Sequence, residues 1–599
     1  MKNPLRMFVR AFALLALAAA LPAARAQTIT ATGSGVSPFP SPNPTTGSWN
    51  VGGNLTVGNA SAGSLAVAGG ATLTSVDGIL GTNYNVLGAV TVDGSGSQWT
   101  STGTFYVGQY GKGTLGITNG GVVSSGTSHV GYQGGADGAV TVDAGTWNAG
   151  GVYLGEHDKG QLTIQNGGSV SVGTMWLGYI RGGGDLGIGT LTIDNGSLTA
   201  SSTMFIGYAG NGTVTASNGS TVSTAGVSLG SSTGGIGTLT IQGSGTTWSD
   251  SFSMSVGGTN QGTLNVLSGA TLTETNANDF NLGVLAGSTG TVNVNGATVT
   301  TTAARVVVGD AGTGTLTLES GSTLTVGGTQ TVVVASQAGS AGTLNFGKSD
   351  LSGTAGAFNA NTISFGSGTG KVNFNQTDTY TLAAAIAGGG SVFQRGTGTT
   401  ILSGANTYTG GTTVSAGTLL VNGSLANTTV AVSSGATLGG SGSIGGLTTL
   451  ASGATLAPGG SPGTLTFTNG LTLDSGSILD LDLGSSSDLI RVSGGTLTGP
   501  GGGTVTINLT DSGGFAANTY VLFDFTGAGT SNFDSTDFQL GSTIAGYNYN
   551  LALNGSTLEL VATAAAVPEP ATCAAALAAV ALAATACHRR QRLVAASRN

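Results

Sequence analysis

The feature that most constrains this chain is a glycine that keeps returning ahead of an alternating aliphatic run. Gly63, Gly88, Gly113 and Gly138 stand 25 residues apart, and Gly160, Gly189, Gly212, Gly237, Gly262, Gly290 and Gly314 continue the series at steps of 22 to 29. After each glycine apolar residues fill alternate positions, as Leu115 and Ile117, Leu191 and Ile193, or Leu239 and Ile241 do, which is the period of a strand and not of a helix. A second short alternating piece comes next, such as Ser169–Val172. A third closes on a hydrophobic residue and a glycine, as in Val107-Gly108, Leu154-Gly155, Leu177-Gly178, Ile206-Gly207 and Leu229-Gly230. Each repeat therefore reads as three short strands and three turns. Opening and closing glycines stay 17 to 21 residues apart, while most length variation falls in the link to the next copy. Two copies carry a paired insertion, DGSGSQW ending at Trp99 and QGSGTTW ending at Trp248. Fixed strands with one elastic turn are what stacked coils require. The expected fold is all-β: a right-handed parallel β-helix of about 22–29 residues per coil. Neighbouring coils would join their interiors into one core at a strand separation of ~4.8 Å.

Composition supports an ordered solenoid and excludes several functions. Of 599 residues 110 are Gly and only 7% are charged, yet the regular Leu, Val and Ile positions argue against disorder. Four basic residues (Lys2, Arg6, Arg10, Arg25) precede Gln27 and four (Arg589, Arg590, Arg592, Arg598) come after Cys587, leaving eight against all 25 acidic residues in between. Such a surface has no basic patch for nucleic acid. Cys573 and Cys587 lie together near the C-terminus, so the repeats have no disulfide framework.

Residues 1–26 read as a secretory signal peptide, with Lys2, Arg6 and Arg10, an apolar Ala11–Leu21 and an A-x-A cleavage site at Ala24 and Ala26 before Gln27. Residues 27–47, with Pro38, Pro40, Pro42 and Pro44, read as an extended spacer. Coils are expected over 48–345 and an irregular junction over 346–400, where Phe358, Phe365, Phe374 and Phe393 interrupt the rhythm.

A second kind of unit begins at Leu402–Gly423, LSGANTYTGGTTVSAGTLLVNG. It resembles the autotransporter-associated β-strand repeat of β-helical passenger regions on bacterial surface proteins. Ser434–Gly440, Ser452–Gly460 and Leu479–Gly495 are similar to it, which gives residues 401–562 as repeats with a C-terminal cap. Autotransporters end in a membrane barrel of many strands. Asn518–Leu560 leads elsewhere, so self-export is not expected.

The C-terminal segment holds Val567-Pro568-Glu569-Pro570, an apolar run from Ala571 to Cys587, and a basic cluster of Arg589, Arg590 and Arg592. Residues 567–592 resemble the PEP-CTERM sorting signal. That resemblance implies a single membrane-spanning helix, a cytoplasmic basic end, and an exosortase-like processing enzyme in the inner membrane of a Gram-negative bacterium.

Candidate chemistry is sparse. The residue after the first strand is Asp93, Thr118, Asp143, Gln165, Asp194, Ser217, Gln242, Leu267, Asn295 and Glu319 in successive coils. Its three aspartates fall in alternate coils, about 9.6 Å apart, at the upper limit for a glycosidase pair. Turn capping by exposed, unpaired side chains is the simpler account. His157, between Glu156 and Asp158, reads as part of a hydrated charged loop, with His129 at a different place one coil earlier. Asp480, Asp482 and Asp488 leave weak Ca²⁺ binding open, without a metal site being assigned. Tyr106, Tyr132, Tyr153, Tyr179 and Tyr208 recur around closing glycines and form a row for glycan contact, or else flank turns.

These readings combine into an exported, non-enzymatic structural or adhesive rod of the bacterial envelope or extracellular matrix. It would reach the cell surface through a tethered inner-membrane precursor. Extracellular polysaccharide is the expected partner, with no cofactor, no nucleic acid and membrane contact only through the tail. The alternative is a β-helical carbohydrate-active enzyme, a polysaccharide lyase or glycoside hydrolase.

Overall fold

The computed structural model describes residues 26–180, 187–327, 330–459, 462–566 and 570–596. The chain is an all-β parallel solenoid of the right-handed type with about 18 turns. It divides into two compact units. One holds the chain up to Leu344 with 356–360 and 367–369, and the other holds 345–355, 361–366 and the chain from Gly370 on.

In the first unit the opening glycines pair in register without a slip, Gly63 with Gly88 and onward to Gly290 with Gly314. The spacing of 22–29 residues per coil therefore holds here. In-register pairing stacks Leu65, Val90, Leu115, Val140, Leu162 and Leu191 into one buried column, and Val67, Val92, Ile117, Val142, Ile164 and Ile193 into another. Each such side chain contributes about 1.5–3 kcal/mol by leaving water, and it does so only because the coils above and below cover it.

The second strand carries a third column, and here the tryptophans enter the core. Leu73, Trp99, Val123, Trp147 and Val170 succeed one another in register, as do Val222, Trp248 and Leu272. Trp99, Trp147 and Trp248 are fully buried. Each donates its indole N–H to a hydroxyl of the preceding coil: Trp99 to Ser75 at 3.1 Å, Trp147 to Ser125 at 3.0 Å, Trp248 to Thr224 at 3.1 Å. Ser75→Ala strands a buried N–H and is expected to cost about 1–3 kcal/mol, read as a lower denaturation midpoint with unchanged circular dichroism.

The expectation of three separate strands needs one correction. In three consecutive coils the second and third strands fuse into nine-residue strands, Val122–Val130, Thr146–Leu154 and Ser169–Leu177. Elsewhere they break, as at Gln98–Ser101 and Phe105–Val107.

In the second unit the coil first shortens and then lengthens again. Thr412 pairs with Val430 and Val430 with Thr448, steps of 18 residues, while Thr448 pairs with Leu471 and Leu471 with Leu497, steps of 23 and 26, so 22–29 fails only over the shorter coils. Three separate strands now line each coil, for example Thr412–Val414, Thr418–Val421 and Ser424–Leu425. The N-T-Y-T-G-G-T-T segment is structural. Asn406 is buried; its Oδ1 accepts from the Ile386 N–H and its Nδ2 donates to the carbonyls of Gly404 and Ser424, tying three coils together. Tyr408, also buried, shares its hydroxyl with Thr412 at 2.6 Å, and burial holds that phenol far above its ordinary range.

Residues 346–400 hold the division between the two units, which falls within 345–369, but carry regular coils beside it. Thr362–Phe365 pairs with Ala385–Ala387, and Thr379–Leu382 with Thr399–Leu402, all parallel. The rhythm looked loose because stacked phenylalanines, Phe346 on Phe374 at 5.1 Å, take the aliphatic places. The spacer reading of 27–47 also fails. Thr28–Thr32 lies antiparallel on Gly63–Ala68 and pairs with Thr45–Thr46, capping the first coil. In the second unit Thr557–Ala564 runs antiparallel between Asn518–Asp524 and Tyr547–Asn554. Reversing strand direction at both ends closes a parallel ladder that would otherwise present an open edge.

The tail forms a helix, Pro570–Ala596. Among the described residues no helix is long and apolar enough to cross a membrane, so the single membrane-spanning helix is not found. Its larger apolar side chains are Leu577, Val580 and Leu582 among alanines, and the helix runs on into Arg589, Arg590 and Arg592. Alanine is weakly apolar and arginine is costly in a bilayer.

Candidate functional site

The five tyrosines separate into two adjoining rows of the first unit. Tyr106 and Tyr153 sit on the third strand, two residues before a closing glycine. In-register pairing places His129 between them and continues to Trp176 and Phe205. Tyr132, Tyr179 and Tyr208 each come directly after a closing glycine, with Glu156 in the same place between the first two. The backbone fixes that turn row coil upon coil: the Tyr132 N–H donates to the Gly108 carbonyl, Glu156 to Gly131 and Tyr179 to Gly155.

Ring geometry changes what the tyrosines can do. Tyr106 stacks on His129 at 5.1 Å, His129 on Tyr153 at 5.0 Å, Tyr153 on Trp176 at 4.3 Å and Trp176 on Phe205 at 6.1 Å, all within 16° of parallel. Tyr132 and Tyr179 meet this ladder edge-on, and Tyr208 stacks on Tyr179 at 5.1 Å. Inside the ladder the ring faces are spent on each other, so a sugar cannot lie flat on Tyr153. Each aromatic pair adds about 0.5–1.5 kcal/mol beyond area burial, so the ladder also stiffens the coils.

At its centre His129 Nδ1 lies 2.6 Å from Glu156 Oε2, with the two side chains 12% and 2% exposed. An ionised carboxylate only accepts, so Nδ1–H donates and Nε2 is left for an incoming group. The pair borders a recess of about 320 Å³ completed by Thr127, Tyr153 and Tyr179. Burial first, then Tyr132, Asp77 and Glu156, hold the Tyr106 hydroxyl above its ordinary range. The hydrated-loop reading therefore fails for Glu156, which is buried, and holds for Lys159, which is exposed. Asp158 accepts from the Gly135 N–H at 2.9 Å, and His157 is half-exposed.

The aspartate column falls in alternate coils as expected, but its carboxylates are paired. Asp93 accepts from Thr118 and Asn119, Asp143 from Gln165 and Asn166, and Asp194 from Asn218. The asparagines occupy left-handed turn positions at φ of 51–54° and reach back one coil. Asp488 is buried, closing a turn by accepting from the N–H groups of Asp482 and Gly463, and Asp480 accepts from Asn508. Among the described residues no group of three or more His, Cys, Asp or Glu is arranged to hold a metal ion.

Of the processing residues, Ala24, Val567, Pro568 and Glu569 lie outside the described residues. Ala26 and Gln27 directly precede the capping strand, Pro570 opens the tail helix, and Arg589, Arg590 and Arg592 are exposed. Trp176 and Phe205 were not singled out from sequence, and His129 and Glu156 were named there without being placed together. Counting outward from each closing glycine finds all four, at two places before it or one after.

Residues 393–421 match the family described as passenger-associated-transport-repeat, over the segment in which Asn406 and Tyr408 knit the coils. No curated protein matches the chain. The chain thus carries an autotransporter-associated repeat on a parallel solenoid, which suggests an exported, surface or extracellular protein.

Proposed function

We propose that this protein is an exported, non-enzymatic structural or adhesive component of the bacterial envelope or extracellular matrix, and that it meets polysaccharide along its outer faces. The observation that carries the reading is a passenger-associated repeat on a solenoid whose recurrent turn carboxylates, Asp93, Asp143 and Asp480 among them, are committed to bonds between coils. Delivery would use the N-terminal leader ending at Ala26. The Val567–Pro570 tail with its basic end would be the substrate of an exosortase-like enzyme, removed after inner-membrane tethering. Binding of the full chain to a glycan array, with product release monitored in parallel, tests this. Binding without release is expected.

One observation favours the enzymatic alternative. The Glu156–His129 pair is the arrangement that orients a general base, and Nε2 borders a polar recess. A glycosidase needs a second carboxyl, and a lyase acting on uronic acids needs positive charge, and this recess offers neither. Release of oligosaccharide that His129→Ala abolishes would reverse the ranking.

A further inference from the structure

We infer that a second surface of the first unit, the corner groove across the fused strands, is the seat for a neutral polysaccharide chain laid along the solenoid axis. This deepens the polysaccharide reading and rests on it. The groove has a cause in the sequence. Ser101, Ser125, Ala149, Val172 and Ala200 are in register, and so are Phe105, Ser128, Val152, Met175 and Met204. Between these anchors the outer two coils insert three residues, Thr102–Thr104 and Ser201–Thr203. The middle three insert only two, and each pair contains a glycine at 126, 150 or 173. Three tight corners between two longer ones leave a trough of about 430 Å³, within the size range of ligand sites.

Its walls match one ligand chemistry. Ser124, Asn148, Ser171 and Thr199 form an in-register row, one per coil, spanning three strand separations or about 14 Å. Among the described residues none of the four side chains has a hydrogen-bond partner, unlike the turn column, where amides and carboxylates pair coil to coil. Ala149, Val172 and Gly173 add an apolar strip beside them. A repeating row of unspent hydroxyl and amide groups next to an apolar strip suits a polymer with hydroxyl edges and C–H faces. The lining has no charged side chain, so the polymer is neutral. A peptide strand is not the occupant, because these strands are paired on both sides and leave no backbone edge to extend. Nucleic acid would require cations.

The test compares the full chain with two double variants and one single variant by affinity electrophoresis. Dextran and galactomannan serve as neutral probes and alginate as an acidic one. Asn148→Ala with Ser171→Ala removes two outward side chains that no core contact depends on. It is expected to weaken neutral-polymer affinity by about tenfold with an unchanged melting curve. Ser171→Arg, which fills the trough, should do the same, while Tyr132→Phe with Tyr179→Phe should bind as the parent does. If the tyrosine pair loses binding and the groove variants keep it, the groove is overturned and polysaccharide contact stands. Retention of alginate alone has the same meaning. A parent chain that binds none of the polymers overturns both readings.

Discussion

Gly160→Val is expected to unravel the solenoid around the coil it opens, at a cost beyond about 4–5 kcal/mol. A Cβ at Gly160 would sit 2.1 Å from the Gly155 nitrogen and 2.1 Å from the Val130 carbonyl oxygen. Both are backbone atoms, the Gly155 N–H donating to the Val130 carbonyl at 2.8 Å and Val130 itself paired to strands on either side, so no flexible side chain can yield. The closing glycine of the preceding coil is bound as tightly. Gly155 has φ of +66°, and its Cβ would meet the Ile188 carbonyl oxygen at 2.1 Å. Opening and closing glycines therefore recur because the corner packs backbone on backbone across neighbouring coils. Gly167 provides the control: it also has positive φ, +81°, but a Cβ there meets nothing within 4 Å. Gly167→Ala should cost only the left-handed penalty of about 1–2 kcal/mol. Hydrogen exchange separates the cases, because stability in a solenoid is a sum over coils and their neighbours. Gly160→Val should lose amide protection in the coils adjoining residue 160. Protection indistinguishable from that of Gly167→Ala would show that the corner yields, and the argument would fail.

The same backbone contact explains why so much of the fold could be read from sequence. A glycine that no other residue can replace marks register without ambiguity, and Leu115 with Ile117 then fixes which face turns inward. Register and coil length in the first unit both come from those two signals, whereas the aspartate column, read as exposed turn caps, bonds to side chains of the next coil. Three features were hidden because they depend on what lies one coil away. Trp99 looked like the end of an insertion, but its N–H finds Ser75, 24 residues earlier. Glu156 looked like a solvated loop residue, but the turn row tucks it behind His129. The tyrosines looked like one row open to a ligand, and only ring orientation reveals that the ladder's faces are consumed. Residues 346–400 hid their coils for another reason: Phe365 and Phe374 hold inward positions, while Phe358 and Phe393 lie half-buried and blur the alternation. The capping strand Thr28–Thr32 was missed because the prolines behind it dominate the local signal, while its own alternation, with Ile29 and Ala31 buried, is only five residues long.

The largest pH effect is expected from two carboxyls inside the first unit. At the inward end of the second strand successive coils place Ala200, Thr224, Asp250, Glu274 and Thr301 in register, and both acids are buried. Burial pushes the Asp250 carboxyl from 3.8 up to about 6, against the opposing bonds from the Phe252 N–H and Thr224. Burial also raises Glu274, with Thr301 and Asn276 opposing and the charge of Asp250 adding to the rise. A carboxyl whose folded pKa is raised keeps a proton that the unfolded chain has already released. Its favourable contribution is complete below pH 3.8, falls as pH climbs through about 6, and is gone above that. For Asp250 alone the swing is on the order of 3 kcal/mol. Exposed Asp143, whose bonds from Gln165 and Asn166 hold its carboxyl low, acts in the opposite sense, so the measurement must be differential. Urea unfolding of the parent and of Asp250→Asn with Glu274→Gln, at about pH 4.5 and about pH 7.5, isolates the pair. The parent should lose stability toward neutral pH relative to the variant, and the variant should be the more stable of the two at pH 7.5, because amides keep the hydrogen bonds without the burden of buried charge. Parallel pH profiles for the two proteins would mean that the carboxyls relax to solvent on ionising, and that the interior at this level is not closed.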